Sequence, residues 1–106
     1  MIVAVKQLPT RIDLEWLVAD DFVEQITLTE LDGSPFSLVG ATSRCVLRMP
    51  GTLYRKSITV TPGAAGVLTL SAPANSLTSG VYRWSLSIAR TGATRTPIAG
   101  LATVHG

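Results

Sequence analysis

The sequence predicts an all-β domain, an antiparallel β-sandwich of about seven strands, and three observations carry that expectation. Turn signals recur roughly every eight to twelve residues, at Asp32-Gly33-Ser34-Pro35, Met49-Pro50-Gly51, Thr61-Pro62-Gly63, Ser79-Gly80 and Thr91-Gly92, which is the spacing of a sandwich or barrel. The runs between them are rich in Val, Ile, Thr, Leu and Trp, residues that suit a pleated, half-buried surface. No window keeps a helical period long enough to argue for a core helix.

The strands are expected at roughly 11–18, 22–31, 42–49, 53–60, 66–71, 81–90 and 97–104. In the first, Trp16 is a large apolar residue beside an acidic stretch. In the second, Phe22, Ile26 and Leu28 supply the apolar face. The third sets Ser43, Cys45, Leu47 and Met49 against Thr42, Arg44, Val46 and Arg48, so both arginines share one face. The clearest is 81–90, where Tyr82, Trp84, Leu86 and Ile88 alternate with Arg83, Ser85 and Ser87. Tyr82 follows Gly80 at a strand start, a position suited to a tyrosine corner in which the hydroxyl bonds to backbone. Between 71 and 78 there is room for one short helical turn.

Residues 1–10 fit this plan least. Met1-Ile2-Val3-Ala4-Val5 is an apolar run followed by Leu8-Pro9-Thr10. It reads as an edge strand of the domain or as an arm that extends a neighbour's sheet. Residues 11–106 form the single sandwich domain, with no internal repeat and no linker.

Composition narrows the function. The chain has 106 residues, 46% hydrophobic and only 15% charged, so disorder is not expected and some surface is expected to be covered by a partner. No apolar run approaches the length of a membrane span, and the start lacks the basic and apolar regions of a signal peptide. The single Cys45 rules out an internal disulfide and suits assembly in a reducing cytoplasm.

Charge is unevenly distributed. All seven acidic residues (Asp13, Glu15, Asp20, Asp21, Glu24, Glu30, Asp32) lie in residues 1–32, beside only Lys6 and Arg11. The other seven basic residues follow: Arg44, Arg48, Arg55, Lys56, Arg83, Arg90 and Arg95. Arg outnumbers Lys seven to two, the preference of protein interfaces. The arginines therefore read as a docking surface or as a solvated polar face.

Catalysis is hard to build from these residues. His105 is next to last in the chain, a poor place for an oriented base. Cys45 reads as a small buried hydrophobe. No phosphate loop, dinucleotide fingerprint or zinc motif is present, so neither an enzyme nor a cofactor is expected. Asp20, Asp21, Glu30 and Asp32 suit turns better than a calcium site. With six aromatics, mostly assigned to the core, there is no stacking platform for nucleic acid.

A longer pattern adds to this reading. It comprises Asp20-Asp21-Phe22, Ile26-Thr27-Leu28, the run from Leu31 to Thr42, Gly66-Val67-Leu68-Thr69-Leu70, the run from Leu77 to Leu86, and Ile98 to Val104. It resembles structural proteins of tailed bacteriophages, in particular the immunoglobulin-like N-terminal module of upper baseplate proteins and related small virion proteins. The resemblance spans about residues 16–104. It implies an immunoglobulin-like sandwich that docks onto a phage particle or anchors a fibre. With the composition, the expectation is a protein assembled in the host cytoplasm that joins other virion proteins in repeated copies, with no nucleic-acid or membrane partner. A tail, baseplate or fibre-anchoring adaptor is the first expectation. A capsid decoration protein bridging capsid subunits is the second, and a carbohydrate-binding module a third. The interface candidates are Ile2, Val3, Val5, Leu8, Trp16, Asp20, Asp21, Arg44, Arg48, Arg55 and Lys56, with the acidic segment of one copy, or of a neighbouring protein, meeting a basic body.

Overall fold

A computed structural model describes residues 1–90 and 92–106. The described chain is all-β apart from one 3-10 turn. Its strands are β1 (Ile2–Ala4), β2 (Thr10–Arg11), β3 (Leu14–Leu17), β4 (Phe22–Thr29), β5 (Thr42–Arg48), β6 (Arg55–Pro62), β7 (Val67–Ala72), β8 (Gly80–Arg90) and β9 (Ala93–His105). Each of the seven expected strands is present, the first as β2 and β3. The additional strand is β1, which pairs in parallel with β4 of its own chain, Val3 opposite Leu28. Residues 2–4 thus form an edge strand of their own sheet.

The strands form two sheets joined through β6. Sheet A runs β1-β4-β7-β6, and sheet B runs β6-β5-β8-β9 with β2 and β3 along the outer side of β9. Residues 55–58 of β6 pair with β5, and residues 59–62 pair with β7, so one strand turns the corner between sheets. The pairings among β4 to β9 are antiparallel, whereas β2 and β3 join β9 in parallel. The expectation of wholly antiparallel sheets is corrected there.

Side chains from both sheets meet in a single buried cluster that includes Ile26, Leu28, Cys45, Leu47, Leu68, Leu70, Tyr82, Trp84, Leu86 and Ile98. The alternation read in 81–90 holds: Tyr82, Trp84, Leu86 and Ile88 are buried, while Arg83 is exposed. The Tyr82 hydroxyl donates to the Thr78 carbonyl oxygen, fixing the entry to β8 in the manner of a tyrosine corner.

Two glycines permit close approaches. At Gly66 (φ +78°) a Cβ would lie 2.4 Å from the Leu28 carbonyl oxygen, and at Gly100 one would lie 2.0 Å from that of Ile12. The 3-10 turn is at Ala64–Gly66. The stretch 71–78 holds no helix and instead turns at Pro73–Ser76, with Asn75 left-handed at φ +60°. Of the expected Thr91-Gly92 turn, Gly92 is left-handed (φ +78°) and Thr91 lies outside the described residues.

Candidate functional site

The outward face of sheet B gathers arginines that are far apart in the chain. Along β5, Arg44, Val46 and Arg48 point away from the buried Cys45 and Leu47, because successive side chains of a strand alternate. Pairing then sets neighbours beside them. Arg48 stands opposite Arg55 of β6 on one side and Arg83 of β8 on the other. Three arginines therefore form a row across three adjacent strands, about 4.8 Å apart at the backbone.

The next row inward is small: Ser57, Val46, Ser85 and Ala99 lie side by side, with Arg11 of β2 at its end. Beyond it, Arg44 pairs with Ser87, and Thr42 pairs with Ala89, which in turn faces Thr94. The result is an open trough of about 1030 Å3, floored by small residues and bordered by Arg11, Arg44, Arg48, Arg55 and Arg83.

Electrostatics sharpen this picture. Like charges directly opposite on neighbouring strands destabilise a sheet, so the row Arg55-Arg48-Arg83 works against the fold that carries it. Among the described residues, one carboxylate pairs with any of these five arginines: Asp13 contacts Arg11 Nε at 3.4 Å. Asp13 is also bound to the scaffold. Its Oδ1 accepts the Leu101 N–H at 3.0 Å, and that bond, followed by the Arg11 contact, holds its pKa below the usual carboxylate value.

The opposite face of the molecule contrasts with this one. Val23, Gln25 and Thr27 of β4, Val67, Thr69 and Ser71 of β7, and Thr59 and Thr61 of β6 share the outer side of sheet A, and none is ionisable.

The other expected interface residues are dispersed. Val3 and Val5 are buried in the core, which corrects their assignment to an interface: their parity in the strand points them inward, while Ile2 points out and is 77% exposed. Lys56 is opposite Leu47 and so lies on the core side of sheet B, at an exposed edge, rather than with Arg55. Leu8 is exposed just before β2. Trp16 is half-buried and stacks on Phe22, ring centroids 4.1 Å apart. Asp20 and Asp21 occupy the turn between β3 and β4, and Asp21 Oδ1 accepts the Ala74 N–H at 2.8 Å.

Cys45 is fully buried, and burial pushes its thiol up to about 12. His105 ends β9 with Nε2 3.2 Å from Glu15 Oε1. Sequence reasoning missed Arg83 and Arg11 as members of the arginine face. Arg83 was visible as part of a wet strand face, but its place beside Arg48 depends on register, which the sequence does not encode locally.

Among solved structures, the chain is similar to the N-terminal domain of phage TP901-1 ORF48, with a TM-score of 0.60 at 16% identity. The match covers 99% of this chain and 95% of that one. At that identity the likeness is one of fold, and it agrees with the resemblance to phage structural domains read from the sequence. No protein-family model and no curated protein matches the sequence.

Proposed function

We propose that this chain is a non-catalytic bacteriophage virion protein, a tail or baseplate adaptor that docks other particle proteins onto the outer face of sheet B. The observation that carries the reading is the arginine row on that face, combined with a fold shared with a phage domain. A self-repelling row at the surface makes sense where a partner neutralises it, since local rules of folding are broken chiefly at functional sites.

The finer architecture we read as immunoglobulin-like. The order β1-β4-β7-β6 follows the A-B-E-D sheet of that fold, and β5-β8-β9 follows C-F-G. Tyr82 stands near the start of the F-equivalent strand with its hydroxyl on backbone four residues upstream. Trp84 occupies the place two residues later where antibody domains carry a cysteine. The parallel pairings of β1, β2 and β3 depart from that plan.

The reading is tested by producing virions with wild-type chain or the Arg83→Glu variant and measuring its copy number by quantitative mass spectrometry. Wild-type chain in the tail and its loss in the variant are expected. Absence of the wild-type chain from purified particles would overturn the reading, and density on the head lattice would transfer it to the capsid-decoration alternative.

A further inference from the structure

The trough has two banks and a floor. Arg55, Arg48 and Arg83 form one bank, and Arg44 stands on the other. Arg44 and Arg48 are four positions apart along β5, which places the banks about 13 Å apart. Val46, Ser85 and Ala99 lie between them. That gap is wide enough for one extended polypeptide to cross the strands of sheet B, its side chains alternating toward the two banks. Ser85 and Ser87 line the trough and bring hydroxyl groups that can donate or accept hydrogen bonds.

Resting on the docking role proposed above, we infer that the trough receives an extended, carboxylate-bearing segment of a different virion protein. Guanidinium groups bind carboxylates through paired N–H bonds, and the four arginines of the two banks have no carboxylate partner among the described residues. Phosphate has the same appeal to arginine, but the trough offers nucleic acid no aromatic surface on which to stack. Its one aromatic, Trp84, is 2% exposed and donates Nε1–H to the Ile12 carbonyl at 2.8 Å.

A second copy fits less well. The acids Asp20, Asp21 and Asp32 sit in the loops on either side of β4, and Asp21 and Asp32 already accept backbone N–H bonds, from Ala74 and Ser34. Of the acids on strands, Glu15 lies against His105 Nε2 at 3.2 Å and Glu24 stands alone on β4, so none forms an extended acidic strand.

The test measures fluorescence anisotropy of a labelled peptide alternating Glu and Thr, with the full chain in low salt. Its Gln-for-Glu counterpart and a short DNA duplex are run alongside. The Glu peptide is expected to bind, the Gln peptide at least tenfold more weakly, and 0.5 M salt to weaken binding at least tenfold. Arg83→Ala and Arg48→Glu should each lower affinity at least tenfold with unchanged circular dichroism. Lys56→Glu, which reverses a charge off the face, should leave affinity unchanged. An equal loss in Lys56→Glu, tighter binding of the duplex, or salt-sensitive self-association in place of peptide binding would each overturn the inference. Virion incorporation is scored in parallel. A chain whose arginine variants leave the particle but which does not bind the peptide overturns this inference alone, and a chain that binds the peptide but enters no particle overturns the virion role alone.

Discussion

Gly100 governs the attachment of the N-terminal strands to sheet B. Between β2 and β3 the backbone at Ile12 presses against it. There the Ile12 N–H donates to the Ala99 carbonyl at 3.2 Å, and the Ile12 carbonyl accepts the Trp84 indole N–H. A methyl group at position 100 would occupy that carbonyl's space. Gly100→Ala is therefore expected to destabilise the domain by about 1–3 kcal/mol, read from urea unfolding; an unchanged midpoint would refute the contact. Tyr82 gives a pH signature. Burial, and next the neighbouring Tyr54, raise its pKa from 10.0 to about 12. The unfolded chain thus ionises first. Its contribution to stability is complete below about pH 10 and is lost as the pH rises toward 12. Tyr82→Phe should flatten that alkaline fall in melting temperature. At this scale much was legible: Tyr82, Trp84 and Cys45 were assignable to the core from alternation alone. Gly100 was not, because the strand it touches lies 88 positions earlier in the register.

Strand pairing is the level at which local signals thin out. Turn residues and alternation located the strands from β4 onward, since both are written in neighbouring residues. The parallel attachment of β1 to β4, and of β2 and β3 to β9, joins distant segments without any turn to announce it. The inward parity of Val3 and Val5 followed from that attachment, whereas the separation of Lys56 from Arg55 follows from alternation along β6. The β2–β3 edge depends on Asp13, whose carboxylate accepts the Leu101 N–H. Its depressed pKa means that this hold is complete above the ordinary carboxylate pKa and lost as pH falls through its lower folded value. Asp13→Ala should accelerate amide exchange across residues 10–17 while leaving β4, β5 and β8 protected. Uniform acceleration throughout the sheet would contradict a local role.

For the whole molecule, basic charge gathers on one face. The outward side of sheet B carries four arginines without a carboxylate partner among the described residues, whereas the outward side of sheet A is uncharged. The sequence showed the imbalance between residues 1–32 and the rest of the chain, but not its concentration on one face. That concentration has a cost in the free protein, and the proposed docking role would give it a use, the common opposition between stability and function. Arg48 is its centre, flanked by Arg55 and Arg83. The most direct measurement is the Arg48→Glu exchange, read as the melting temperature of the isolated domain together with copy number in the virion. Two repulsive pairs become attractive, so the isolated domain should gain about 0.5–1 kcal/mol, a rise of several degrees, while the variant disappears from particles. A variant that melts lower than wild type, or that is incorporated at the wild-type level, would contradict the account.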